Sequence, residues 1–427
     1  MYRESIKELI KWKESQRRKP LIIEGARQVG KTWLVKDFAK NHYRNLAYVN
    51  FEEQVFMRGL FETDYDVNRI IEAISAATHE TCTPGETLIF LDEIQEAENG
   101  ITALKYFREN APEHHVIAAG SLLGIELHRQ QSFPVGKVQL MTLYPMSFRE
   151  FLIAVNESPL VNFIQERDWA NIKLFAPKLQ DLLRKYYYVG GMPEAVLSFS
   201  ESGDWQEVRE IQNEILQGYD RDFSKHAPND LVPRIRMLWD SIPSQLSKEN
   251  RKFIYGLVKQ GARAREYEIA LQWLIDGGLI HKVSNVAAPR IPLKSYEDKS
   301  AFKLFAVDIG LLGAMSNLDS RSIVDGNRIF TEFKGALTEQ YVLQQLMLKH
   351  IPYYYSKPNS QQEIDFLIET DGKVIPIEVK AEENLKAKSL RQFVDDNKSE
   401  IAYRVSMSPY RKEDWFTNIP LYSVQTI

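Results

Sequence analysis

The sequence predicts an α/β fold in four parts: a parallel-sheet domain at residues 1–146, a helical lid at 147–228, a winged-helix-like segment at 229–300 and a second α/β domain at 301–427. Three observations carry this. A glycine-rich loop, Gly25 to Thr32, sits between a strand pattern and a helix pattern. Strand and helix patterns alternate through the first part, as a parallel sheet requires. Near the end, two strand patterns flank Asp371-Gly372, a strong two-residue hairpin turn.

The first element is the apolar run Leu21 to Ile23, followed by Gly25-Ala26-Arg27-Gln28-Val29-Gly30-Lys31-Thr32 and a helical pattern from Lys31 to Ala39. This is the G-x-x-x-x-G-K-[ST] phosphate loop in its proper strand–loop–helix setting. Gly25 and Gly30 let the main chain turn so that its N–H groups face phosphate oxygens. The helix N-terminus adds positive dipole. Lys31 is expected to reach the β- and γ-phosphates of ATP, and Thr32 to offer its hydroxyl to Mg²⁺.

Ala47 to Phe51 supplies another strand. Thr87 to Glu93 is an apolar strand ending in two carboxylates. Asp92 is expected in the Mg²⁺ shell and Glu93 beside the attacking water. A third strand, His115 to Gly120, ends at Ser121, which reads equally as a γ-phosphate sensor or as the N-cap of the next helix. Val138 to Leu143 is the last strand of the part. The predicted sheet is thus that of a P-loop NTPase.

The chain has 427 residues, 44% of them hydrophobic and 26% charged, which allows several domains with a sizeable core. A net charge of -4 excludes a globally basic nucleic-acid binder, so any such surface must be local. The single cysteine, Cys82, excludes an internal disulfide and a cysteine-built zinc site. No run approaches the ~18 apolar residues of a membrane span, and Met1 to Lys19 has no apolar signal core. The expectation is a cytoplasmic protein without membrane contact.

From Ser147 to about Lys225 the pattern is helical, with long stretches at Leu174 to Tyr188 and Trp205 to Phe223, broken by Gly190-Gly191-Met192-Pro193. Tyr219-Asp220-Arg221-Asp222 closes the second. Arg221 is a candidate for a nucleotide in the same or a neighbouring subunit, or for an ion pair with Asp220 or Asp222. Three short helical patterns between Pro233 and Val286 precede the strand Leu279 to Val283, the order of a winged helix. Lys248, Arg251, Lys252, Lys259, Arg263 and Arg265 form a local basic cluster suited to DNA phosphates, diluted by Glu249, Glu266 and Glu268.

In the last part, a turn at Asp371-Gly372 makes cross-strand numbers sum to 743, which sets Asp365 opposite Glu378, with Lys380 on the same face. Such a trio suits metal-dependent phosphodiester hydrolysis, with Asp365 and Glu378 as Mg²⁺ ligands and Lys380 steadying the nucleophile or the phosphate. Glu339, on the helical pattern Thr338 to Leu348, is a further candidate carboxylate. The alternative is an ion-paired hairpin face with Glu363 opposite Lys380. Pro376 warns of an edge or a bulge that would spoil the register.

With these pieces placed, the chain resembles prokaryotic AAA-type ATP-binding proteins of the MNS and STAND-like clade with a C-terminal restriction-endonuclease-like domain. The residues are the phosphate loop, Leu91-Asp92-Glu93-Ile94-Gln95, Gly120-Ser121, Leu143 to Phe151, Gly190 to Glu194, Tyr219 to Asp222, Phe305 to Leu312, and Glu363 to Phe366 with Ile377 to Lys380. The resemblance implies an ATPase core, a winged-helix segment and a PD-(D/E)-x-K fold. It also implies assembly into a homo-oligomer. One departure is Gly136-Lys137-Val138, where the family often carries Gly-Arg-Val. A lysine keeps the charge of a trans-acting arginine but not its planar fork. Three functions are consistent with this reading: an ATP-hydrolysing, DNA-associated motor or switch, an ATP-gated Mg²⁺-dependent nuclease, and a signalling switch that binds a protein partner.

Overall fold

The computed structural model describes residues 1–121, 123–125, 134, 136–248, 251–319, 331–357, 360, 362–381 and 387–427. These fall into two compact units. The first holds Tyr2–Tyr144 together with Asp276–Leu279, and the second holds Pro145–Ile275 and Ile280–Ile427.

The first unit contains β1 (Leu21–Glu24), β2 (Asn45–Asn50), β3 (Thr87–Asp92), β4 (His115–Ala119) and β5 (Gln139–Thr142), with helices α1 (Ile6–Glu14), α2 (Lys31–His42), α3 (Val67–Thr78) and α4 (Gly100–Asn110). The strands form one sheet in the order β2-β3-β4-β1-β5, and every pairing is parallel. β3 and β4 are buried along their whole length, which is why they read as unbroken apolar runs. β5 is an edge strand with only Met141 buried. In register, Ala119 lies beside both Ile23 and Asp92. The carboxyl ends of β1, β3 and β4 are therefore level, and the loops leaving these three strands gather at one edge of the sheet.

The second unit begins with α5 (Phe148–Ala154), α6 (Ser158–Gln165), α7 (Trp169–Leu174), α8 (Ala176–Val189), α9 (Pro193–Ser202) and α10 (Trp205–His226). The stretch expected as one helix from Leu174 to Tyr188 is split at Phe175. Pro177 stands in the first turn of α8, where it has no N–H to give the Lys173 carbonyl and its ring crowds that carbonyl, so one helix cannot run through. α10 runs past Asp222 to His226, so Tyr219 to Asp222 lie within its last turns rather than closing it.

Next come α11 (Val232–Leu246), α12 (Tyr255–Val258), α13 (Ala264–Asp276), β6 (Ile280–Val286), β7 (Glu297–Ala306), α14 (Ile309–Met315) and α15 (Thr331–Leu346). The unit ends with β8 (Tyr353–Ser356), β9 (Glu363–Thr370), β10 (Lys373–Val379), α16 (Lys388–Asn397), β11 (Tyr403–Ser406), β12 (Arg411–Lys412) and β13 (Thr417–Pro420). Eight strands share a mixed sheet in the order β12-β13-β11-β10-β9-β8-β6-β7. The β6–β7 hairpin is thus an edge of the C-terminal sheet, joined where Asn285 pairs with Tyr354. Asp371 and Gly372 have φ of 49° and 70°, the left-handed pair that a two-residue hairpin turn needs. The β9–β10 ladder keeps the 743 register from Thr370–Lys373 to Phe366–Ile377, with Pro376 opposite Leu367 and no bulge. The β11 ladder starts at Ile377, one residue past the proline, so no bond is asked of the missing N–H there.

One buried carboxylate fastens this unit. Asp308 is fully buried. It accepts N–H bonds from Gly191 at 2.7 Å and Leu311 at 3.1 Å, and a side-chain bond from Gln344 at 3.3 Å. The Gly191 carbonyl in turn takes the Met146 N–H at 2.6 Å. A methyl on Gly190 would collide with Asp308 itself, and one on Gly310 would lie 2.6 Å from the Val189 carbonyl. Asp308→Ala strands two buried N–H groups and is expected to cost about 2–4 kcal/mol. Asp308→Asn keeps one acceptor and is expected to lose less; urea unfolding of the two variants measures the difference.

Candidate functional site

The β1–α2 loop passes through left-handed main-chain positions at Gly25 (φ 139°), Gln28 (66°) and Gly30 (90°). A methyl on Gly25 would collide with the Leu143 carbonyl, so glycine is required where the chain leaving β5 crosses the loop. Ala26, Arg27, Gln28 and Val29 form the loop's span. Arg3, 5% exposed, braces it from outside, donating to Val29 O at 2.8 Å and Tyr144 O at 2.6 Å. The turn Asp276–Leu279 packs here too, since a methyl on Gly278 would lie 3.2 Å from Ala26 N. Neither Arg3 nor Gly278 carries a motif, so sequence reading passes over both.

Lys31 is 6% exposed, and its Nζ donates to Gly25 O and Ala26 O, both at 2.9 Å. Burial lowers the lysine to about 8, against the upward pull of Glu93 and Asp92. Thr32 Oγ1 donates to Asp92 Oδ2 at 2.7 Å, and Tyr48 OH donates to the same oxygen at 3.2 Å. Burial pushes Asp92 up from the usual carboxylate range, while the Thr32 bond pulls it down. Tyr48, on the neighbouring β2, is a residue that the strand pattern alone did not single out.

Glu93 has a left-handed backbone at φ 50°. Its Oε2 accepts three bonds: Gln95 Nε2 at 2.5 Å, Ser121 Oγ at 2.9 Å and Ser121 N–H at 3.0 Å. A methyl on Gly120 would collide with Gln95 Oε1, so the glycine before Ser121 makes room for the glutamine. Ser121 therefore joins the end of β4 to the Glu93 carboxylate. Lys137 pairs with Glu109 at 2.9 Å. In the second unit Arg221 is exposed, and its neighbour Asp220 is gripped by both Nε and Nη2 of Arg236, at 2.6 and 2.9 Å. Neither Asp220 nor Glu109 was expected in those pairs.

A second group of charges lies within the second unit. Asp365 Oδ2 accepts the Val379 N–H at 2.7 Å, tying β9 to the end of β10 just past their ladder. Glu378 Oε1 pairs with Lys380 at 2.9 Å. Glu339 on α15 pairs with Arg251 and lies 3.6 Å from Lys303. Lys303, fully buried on β7, pairs with Glu363 at 2.7 Å. Glu363 thus meets Lys303 rather than Lys380. Burial pushes Glu339 up to about 7, with Lys303 pulling against it and Asp365 adding to it. Burial also opposes the charge on Lys303, but Glu339 and Glu363 outweigh it and hold the ammonium above its ordinary value. Burial raises Glu378 as well. Among the described residues no three His, Cys, Asp or Glu are arranged to hold a metal ion.

Residues 17–152 match the model of an AAA domain. The first unit carries an AAA-type ATPase fold. Residues 180–322 and 334–424 match models of two domains of unknown function, DUF8612 and DUF4143. Among solved structures the chain is similar to a Walker-type ATPase of Pyrococcus abyssi, at 15% identity over 74% of this chain and 95% of that one, with a TM-score of 0.44. It is also similar to the Aeropyrum pernix ORC1 protein in complex with DNA, at 12% identity over 74% and 93%, TM-score 0.31. A STAND protein with a tetratricopeptide repeat sensor from Pyrococcus horikoshii matches at 15% identity over 82% and 45%, TM-score 0.28. No curated protein matches the chain. No helix among the described residues is long and apolar enough to cross a membrane.

Two outcomes are expected from this geometry. Because burial lowers Lys31 to about 8 and a bound phosphate opposes that shift, nucleotide binding should take up protons, more of them at pH 9 than at pH 7. Calorimetry in buffers of different ionisation enthalpy reads this uptake, and Lys31→Met should abolish it. Gln95→Ala and Gly120→Ala both free Glu93 from the glutamine. Each is expected to lower turnover about tenfold with nucleotide affinity unchanged; steady-state kinetics beside a nucleotide-binding titration separates the two effects.

Proposed function

We propose that the chain binds ATP with Mg²⁺ in the Gly25–Thr32 loop, hydrolyses it, and acts as a DNA-associated switch or motor. The observation that supports this most is the meeting of Lys31, Thr32, Asp92 and Glu93 at the level carboxyl ends of β1, β3 and β4. Main-chain N–H groups of Ala26 to Lys31 and the α2 N-terminus receive the phosphates. Lys31 exchanges its loop carbonyls for phosphate oxygens. Thr32 and Asp92, a hydroxyl and a carboxylate 2.7 Å apart, fit a Mg²⁺ ion, which supplies charge neutralisation when bound. Glu93 orients and polarises the attacking water, and Ser121 relates its carboxylate to the γ-phosphate side of the site. In a homo-oligomer, the exposed Arg221 is the arginine offered to a neighbouring subunit.

The DNA reading rests on the second unit. Helices α11, α12 and α13 with the β6–β7 hairpin after them keep the order of a winged helix. Lys259, Arg263 and Arg265 are exposed before and at the start of α13. The basic cluster is smaller than its sequence suggested, because Arg251 pairs with Glu339 and Lys252 bonds Ser356 Oγ at 3.0 Å. Glu249 lies outside the described residues. An ATP-gated nuclease is the second reading. It is favoured by one observation, the convergence of Glu339, Asp365, Glu378 and Lys380 from α15, β9 and the end of β10.

ATP turnover measured with and without duplex, single-stranded and branched DNA tests the first reading, with Lys31→Ala as the inactive control. DNA is expected to raise turnover several-fold, and replacing Lys259, Arg263 and Arg265 together should remove the increase. Turnover untouched by every DNA, with no binding at low salt, would overturn the DNA role and leave a protein partner as the switch's ligand.

A further inference from the structure

The chain enters the first unit twice. Four residues from its second half, Asp276–Leu279, belong to that unit, while the residues on either side of them belong to the second. They form the turn between α13 and β6, and Leu279 within it is buried.

This turn meets both loops on which the ATP reading depends. Gly278 lies on the Gly25–Ala26 peptide, where a methyl would sit 3.2 Å from Ala26 N and 3.6 Å from Gly25 C. The carbonyl of that same peptide is the Gly25 O that accepts Lys31 Nζ at 2.9 Å. One peptide plane thus carries the lysine on its oxygen and the turn beside its nitrogen. At the other end of the turn, a methyl on Gly124 would collide with the Asp276 carbonyl. Gly124 is three residues past Ser121, which donates to Glu93. Gly278 has φ of 69°, a conformation that glycine adopts at no steric cost.

A nucleotide phosphate draws Lys31 off Gly25 O, because an anion binds an ammonium more strongly than a neutral carbonyl does. The Gly25–Ala26 peptide then loses the bond that holds its plane, and its contact with Gly278 loosens. α13 ends and β6 begins at this turn, so the change reaches both elements through the chain itself.

We propose that the Asp276–Leu279 turn is a nucleotide sensor, seated on the phosphate loop while Lys31 holds Gly25 O and released when ATP takes the lysine. This rests on the ATP reading of the loop and adds the route by which bound nucleotide is felt at α13, the helix that carries Arg265. The coupling runs both ways. A ligand on α13 that pulls the turn away frees the peptide and favours phosphate on Lys31.

Amide hydrogen exchange of the full chain, read by mass spectrometry, is the test. ATP is expected to slow exchange at Ala26 to Lys31 and to speed it at Gly277 to Leu279 about fivefold, the weight of one hydrogen bond. Lys31→Met without nucleotide should show the fast turn already, because the lysine bond to Gly25 O is gone. Gly124→Ala, whose methyl displaces the Asp276 carbonyl, should show it too, and ATP should speed it no further in either variant. Unchanged exchange in β3 and β4 reports that a variant is folded; if Gly124→Ala is not, Gly278→Ala takes its place. A turn whose exchange ATP leaves alone or slows, beside slowed loop amides, overturns the sensor, as does a turn that stays slow in folded Lys31→Met. Loop amides that ATP leaves untouched overturn the ATP reading instead, and the Lys31→Met turn then still judges the link from lysine to peptide to turn.

Discussion

Charge taken out of water must be met by groups of the chain itself, and both sites of this protein are solutions to that requirement. Lys31 is met by the carbonyls of its own loop, Asp92 by Thr32 and Tyr48, and Glu93 by Gln95 and Ser121. Asp308 is met by main-chain N–H groups, Gly191 from a distant turn and Leu311 from the first turn of its own helix α14. Glu339, Glu363 and Glu378 are met by three cations. A buried ion whose partner is lost is far more costly than the pair is worth. Each such contact therefore fixes geometry more than it adds stability. The phosphate loop, the level strand ends and the end of the β9–β10 hairpin all sit around such contacts.

Local signals were the legible ones. The phosphate loop needs glycine at left-handed positions and a lysine after them, and these are adjacent in sequence. The Asp371-Gly372 turn set the β9–β10 register, and every observed pair obeys it. Strands buried on both faces announced themselves as apolar runs. Long-range partners stayed hidden. Nothing near Glu363 points to Lys303, which lies 60 positions earlier on another strand of the sheet. Arg251 reads as one more member of a basic cluster, and only the folded chain shows it turned toward Glu339. Phe175 breaks a helix because a proline two residues on overrides the apolar period.

The eight-stranded sheet also changes how the second unit divides. β7 spans Glu297–Ala306, and its partner β6 pairs with β8 as well. The hairpin that a winged helix would use as its wing is at the same time the outer edge of the C-terminal sheet. Lys303 on β7 reaches Glu339 and Glu363, so this hairpin contributes directly to the charged cluster. Anything that shifts the hairpin shifts the most deeply buried of the cluster's three cations.

The order of strands has a consequence for how the protein is made. All five strands of the first sheet have been synthesised by Thr142, with β1 at Leu21 waiting for β4 at His115 and β5 at Gln139. The second sheet is completed only at the end of the chain. β6 waits for β8, β10 waits for β11, and β11 waits for β13 at Pro420. Until these partners are made, the strand edges of the second sheet stay open. The nascent chain thus holds a finished phosphate-binding sheet while much of its second unit is still unpaired, and it is this later half that needs shielding from aggregation.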